Sequence, residues 1–314
     1  MFRTTEARHA AAFTGLVFAM ATGIAVALPH ANIAALLSLF TPVLSVLVIT
    51  VFGTRRGHRR DLWRGIGLGR SGGRSWPAAI AIPIVLPALA YGAAVVLGVA
   101  SFRHHAHGLS PWLSDGANLV IAMVLGTVLI LGEEIGWRGF LLPRMQTLLP
   151  KRRAALATGA LHGLFHLPLI LLTTTYDSAG KRYIVAPIVV ITITLAGVFY
   201  AWLRDRSGSI WPVAIAHNAA NTMFDMGAAA VVTTSPVALA YTAGESGIAT
   251  LVVVAALAAL LLTRAATWRK PVTPDRSPQA GCDTASGTSS APYAPATGVD
   301  SGERMSWIPA RTNT

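Results

Sequence analysis

The chain has one cysteine in 314 residues, Cys282, far along the C-terminal stretch. An intramolecular disulfide is excluded, and cysteine catalysis or ligation is not expected. Charge is scarce: 12% of residues are Asp, Glu, Lys or Arg, about half of what a soluble protein carries. Acidic residues are the rarer sign, 13 against 25 basic, for a formal net charge of +12. The glycines scattered over residues 65–73 form no Gly-Lys-Ser/Thr phosphate loop, which argues against a nucleotide site. No His-Glu-x-x-His zinc-protease motif occurs. No internal repeat is evident, against the habit of many transporter folds. The last residues, Arg311-Thr-Asn-Thr314, are not a prenylation signal, so the chain is not expected to be a lipid-anchored substrate itself.

What fills the chain instead is long apolar runs. Spans are expected at about residues 10–28, 33–52, 76–99, from 116, 154–172, 183–203, from 209 and 248–262. The first run is longer than a signal-peptide core, so it reads as a retained span. Ser114 and Asp115 are good N-cap types for the fourth helix, and Ser209 with Pro212 for the seventh. The fold class is therefore all-α: a polytopic integral membrane protein of about eight transmembrane helices, with a disordered C-terminal tail.

The basic residues follow the same organisation. Arg55-Arg56-Gly-His-Arg59-Arg60, Lys151-Arg152-Arg153 and Arg204-Asp-Arg206 all fall between spans on one predicted side. Positive loops face the cytoplasm, so both termini are expected there and the net charge is not a nucleic-acid signal. Arg103, Lys181 and Arg182 are the exceptions, in outer loops, where His104, His105 and His107 also fall. A solvated loop is the simpler reading of that histidine cluster than a metal site. The chain divides into a three-span flanking region over 1–115, a core over 116–230, a last span over 231–264 and the tail over 265–314.

Ionisable residues inside spans cost about 2.5–3.5 kcal/mol each on insertion scales and mark functional sites by default. Three spans carry polar pairs four residues apart, on one helix face: Glu134 with Arg138, His162 with His166, His217 with Asn221. Arg138 neutralises Glu134, so that pair reads as a structural clamp. Glu133 has no obvious partner and is the stronger candidate for chemistry. Gly132, Gly136 and Gly139 read as close-packing positions, Asn221 and Asn218 as capable of interhelical hydrogen bonds, and Asp225 as an unassigned interior polar residue. Ser38 and Ser45 are the only hydroxyl nucleophiles worth testing, and helix packing is the plainer reading of both.

Those residue types suit amide hydrolysis. A carboxylate and a neutral imidazole together deprotonate water, and a second imidazole with an amide stabilises the oxyanion. The same groups also suit a catalytic metal such as Zn²⁺, with Glu133, His166 and His217 as candidate ligands and water in the open position.

The three motifs resemble the CAAX prenyl protease and bacteriocin-processing family, also called the Abi or type II CAAX endopeptidase family. Its pattern is Glu-Glu-x-x-x-Arg, Phe-x-x-x-His and His-x-x-x-Asn/Asp on separate membrane helices. Here these stand as Glu133-Glu134-Ile-Gly-Trp-Arg138, His162-Gly-Leu-Phe-His166 and His217-Asn-Ala-Ala-Asn221, with His162 in place of the usual phenylalanine. The resemblance implies that Glu133 with His166 activates water, that His217 and Asn221 stabilise the oxyanion, and that Glu134 and Arg138 hold the site in shape. His162 adds either a ligand or a hydrogen bond, and both metal-assisted and metal-independent chemistry stay open. The expected protein is an intramembrane endopeptidase of the plasma membrane, in a bacterium to judge by its Ala- and Arg-rich composition. It would cut a membrane-associated peptide or protein near the cytoplasmic interface. The rival class is non-enzymatic: a peptide-toxin immunity or binding protein, or a proton or cation conductor, built on the same buried cluster.

Overall fold

The computed structural model describes residues 2–103, 109–174 and 179–269. They lie within one unit, Met1–Val272; the remaining unit, Thr273–Thr314, is outside the described residues, and so are His104, His105, His107 and Cys282. The long helices are α1 (Phe2–Ala27), α2 (Ile33–Val48, continued by a π-helical turn over Ile49–Gly53), a short α3 (Arg59–Ile66) and α4 (Trp76–Val96). After them come α5 (Leu109–Glu134), a π-helical segment over Ile135–Leu141 and α6 (Leu142–Leu148). The remainder is α7 (Lys151–Phe165), α8 (Leu167–Leu172), α9 (Arg182–Ser207), α10 (Trp211–Ala230), α11 (Pro236–Thr242) and α12 (Ile248–Arg264). Two short strands, β1 (Ser101–Phe102) and β2 (Val231–Val232), pair antiparallel.

This is the all-α membrane architecture the apolar runs predict. Among the described residues, six stretches are long and apolar enough to cross a membrane: Thr4–Ala27, Ile33–Gly53, Gly73–Val96, Gly116–Leu148, Lys151–Leu172 and Arg182–Ser207. The other two expected spans are present as helices. α12 has 17 residues, and α10 carries His217, Asn218, Asn221 and Asp225, which lower its apolarity. The outward face of α5 shows what surrounds the bundle. Val120, Ile121, Val124, Leu125 and Val128 form one stripe and are 54–63% exposed. An apolar stripe of that size facing outward suits lipid, because water would penalise it.

Loop contacts sort into two ends. At one, Arg204 Nη2 donates to Gly65 O at 2.7 Å, Trp211 Nε1 to Leu68 O at 2.9 Å, and Ser209 Oγ to Arg70 O. Gln146 and Lys151 both meet Asp205 there. At the other end, Arg103 Nε donates to Ala229 O at 2.9 Å, Lys181 N–H to Tyr241 Oη at 2.7 Å and Thr174 N–H to Pro29 O at 2.7 Å. The dense basic loops thus share one end, and the three exceptional basic residues share the other.

Several boundaries differ from expectation. The fourth helix begins at Leu109, so Ser114 and Asp115 lie within it and do not cap it. Pro111 falls in its first turn, where proline is tolerated, and nothing after it breaks the helix. The basic loop folds α3, closed by Gly67 at φ 89°. The tail expected from residue 265 does not start there: Ala266–Arg269 form a 3₁₀ turn, and Trp268 is buried with its Nε1 donating to Leu261 O at 2.8 Å. Ser209 Oγ accepts from Trp211 N–H at 3.2 Å, one residue ahead of the N-cap position at Ile210.

Glycines set the closest approaches. A Cβ on Gly159 would stand 2.4 Å from Thr194 O, and one on Gly163 2.6 Å from Val190 O. This Gly-x-x-x-Gly pair lets α7 press against the α9 backbone. Gly136 would meet Pro42 at 2.4 Å and Gly139 would meet Ile66 at 2.7 Å, so the predicted packing role of these glycines holds.

Candidate active site

α5 delivers Glu133 and Glu134 in its last turn, and the π-helical segment starts at the next residue. π-segments within helices are frequent at functional sites. Every residue from Gly136 to Leu142 is buried, packed between α1, α2 and α7. Within this segment Arg138 Nη1 donates to Glu134 Oε1 at 2.7 Å, with both side chains buried. His217 Nδ1 donates to the same oxygen at 2.8 Å. Arg138 Nη1 also lies 3.2 Å from His162 Nδ1, and His162 Nε2 lies 2.9 Å from Glu133 Oε2. Five side chains from α5 and its π continuation, α7 and α10 therefore form one line: Glu133, His162, Arg138, Glu134, His217.

Aromatic rings wall the line in. The Arg138 guanidinium lies 4.8 Å from the centre of the Tyr200 ring. Tyr200 stacks on His217 with centroids 5.3 Å apart. Trp137 packs on His162 at 5.0 Å. Tyr200 comes from α9, which carries none of the three motifs, and a lone tyrosine in an apolar span gives no signal of this role.

His166 occupies the break between α7 and α8. Pro168 has no N–H to continue the α-helical ladder, so the helix ends just before it. His166 Nδ1 lies 3.0 Å from His162 O. A carbonyl only accepts, so Nδ1–H donates and Nε2 keeps its lone pair. The two asparagines divide their work. Asn218 Nδ2 donates to Ala122 O at 3.1 Å and Thr127 Oγ1 at 3.3 Å on α5, in a notch left by Gly126. Asn221 is half-buried on a cavity wall. Interhelical bonding, expected of either, falls to Asn218.

That cavity has a volume of about 160 Å³ and is lined by Glu133, His162, His166, His217 and Asn221 amid apolar side chains. All the predicted site residues except Glu134 and Arg138 reach its wall; those two lie behind it. Glu245, from the turn between α11 and α12, also lines it. That turn is at the end opposite the basic loops, so the cavity is not confined to the basic end where the sequence places the site. Asp225 is exposed. Ser38 and Ser45 donate to Ala34 O and Thr41 O of their own helix, as packing hydroxyls do.

Among the described residues one group can be assembled into a metal site: Glu133, His162 and His166, with one ligand atom of each within 4.8 Å of the others. His217, expected as a ligand, is not in this group; its Nδ1 donates to Glu134 Oε1. Glu133 and His166 Nε2 fit such a role, and His166 has the carbonyl partner that holds a ligating imidazole. His162 does not fit, because both of its ring nitrogens face partners in the line. Two ligands are fewer than the three protein ligands of a catalytic zinc site.

Residues 115–223, about a third of the chain, match the model of the type II CAAX prenyl endopeptidase Rce1-like family. The match is to this segment of the chain. It covers α5 from Asp115 through most of α10, and so holds every member of the line and the cavity residues His166 and Asn221. No curated protein matches the chain. The Rce1-like assignment supports a CAAX-type intramembrane protease.

Proposed function

We propose that the protein hydrolyses a peptide bond of a membrane-associated substrate within this cavity. The observation that carries the reading is the convergence of Glu133, His166 and Asn221, from three different helices, on one largely apolar cavity inside the bundle. Glu133 and the His166 Nε2 lone pair take the proton of the attacking water. The oxygen that results adds to the amide carbon, and the Asn221 amide, with His217, faces the negative charge that develops on the carbonyl oxygen. Collapse of the tetrahedral intermediate breaks the C–N bond; the leaving amine takes a proton from the acid formed in the first step. Apolar walls hold the substrate segment and limit water, which strengthens each polar contact.

Glu134 and Arg138 do not touch the substrate in this scheme. They hold His217 and His162 in place from behind. The experiment compares the membrane peptidome of cells making the wild type with that of cells making Glu133→Ala. Peptides that disappear in the variant, together with accumulation of their precursors, support hydrolysis. Identical peptidomes would overturn it in favour of binding or ion conduction by the same cluster.

A further inference from the structure

We infer that His162 is a positioning residue that aims Glu133, and not the third ligand of a metal. The inference deepens the protease reading and rests on it for its catalytic consequence; its structural part stands independently.

The Arg138 guanidinium carries donors only. Its Nη1 faces Glu134 Oε1 at 2.7 Å and His162 Nδ1 at 3.2 Å. Nη1 bears two hydrogens, enough for both neighbours. His162 Nδ1 must then present a lone pair, because an Nδ1–H would point at another N–H. Neutral imidazole has a single proton, which this places on Nε2. Nε2 lies 2.9 Å from Glu133 Oε2, so its hydrogen is donated to the carboxylate. A nitrogen that carries hydrogen has no lone pair for a metal ion. The ring cannot easily turn away: it is fully buried, against Trp137 on one side and His166 and His217 at centroid distances of 5.2 and 5.7 Å.

The consequence is directional. Glu133 has one oxygen tied by His162, leaving Oε1 for the water. Glu134 and Arg138, behind the cavity, are joined to the cavity carboxylate by hydrogen bonds through this ring. A phenylalanine at position 162 would fill much of the same space and make neither hydrogen bond.

The test uses the whole protein in detergent micelles. In wild type labelled with ¹⁵N-histidine, with His162 assigned by difference from His162→Gln, the ring is expected as the neutral Nε2–H tautomer, and its signals are expected to stay in place on addition of Zn²⁺. Glutamine can place an N–H near the position of Nε2. On a substrate recovered from the peptidome, His162→Phe is expected to lower kcat about 10–100-fold with little change in KM. His162→Gln is expected to restore the rate to within about threefold. An Nδ1–H tautomer, a Zn²⁺-induced shift of the His162 nitrogens, or a glutamine variant no better than phenylalanine would each overturn the inference. If wild type and Glu133→Ala leave the same peptides, it is the protease reading that fails, and the tautomer and Zn²⁺ spectra alone then decide the role of His162.

Discussion

Behind the cavity, Glu134 and Arg138 form a buried polar knot; on its wall, Glu133, His166 and Asn221 face open space. The two regions start from adjacent glutamates of α5; Arg138 of the π-helical segment completes the knot, and His166 at the α7–α8 break and Asn221 of α10 complete the wall. In the knot, glycines bring helices together: Gly136 meets Pro42 and Gly139 meets Ile66, and Arg138 is sealed under Tyr200. On the wall, the helix breaks at His166 and the neighbours are mostly apolar side chains around an opening. Glu133 and Glu134 are both buried; what separates the structural charge from the chemical one is that Glu134 is paired with Arg138 whereas Glu133 lines the cavity. A buried pair that loses one partner leaves an uncompensated charge. Glu133 changed to glutamine keeps an oxygen to accept from His162 Nε2 and loses its chemistry.

The contrast is most exposed at Arg138. Arg138→Ala strands Glu134 and is expected to cost about 3–5 kcal/mol of stability, read as thermal unfolding in micelles and as lower abundance in membranes. Wild-type stability in this variant would dissolve the distinction. The wall gives the opposite signature. Glu133→Gln is expected to lower peptidase turnover by about 10²–10⁴-fold, while the unfolding temperature stays at the wild-type value; a large loss of stability would move Glu133 into the knot.

The asparagines repeat the contrast at smaller scale. Asn221→Ala is expected to slow turnover by about 10²-fold, as for loss of one oxyanion donor, with unchanged unfolding. Asn218→Ala should instead cost about 0.6–1.7 kcal/mol, the range for interhelical hydrogen bonds in membranes, and leave turnover near wild type. Reversed results for the two would show that the cavity lies on a different face of α10 in action.

Much of the architecture is legible in the amino-acid sequence. The apolar runs place the helices, and the basic loops sort them to two ends, because lipid and membrane charge asymmetry act on composition. The spacing of four puts Glu134 on Arg138, since both sit on one helix. The features that composition and spacing misplace share a cause. The fold of α3 in the basic loop and the packing of Trp268 depend on neighbours distant in sequence. Gly159 and Gly163 do carry a readable signal, a Gly-x-x-x-Gly pair in an apolar span, that marks α7 for close packing.

Residue order alone dictates a polytopic helical protein with carboxylates, imidazoles and an amide at helical spacing on three spans. Their division of labour comes from the packed bundle: which glutamate faces the cavity, which asparagine binds helices, and that His162 bridges Arg138 and Glu133. A membrane helix is apolar towards lipid and towards its partners alike, so the pattern that locates the core of a soluble protein is missing. Adjacent residues lie about 100° apart around a helix, and only the helices packed beside them settle which direction opens onto the cavity and which is sealed.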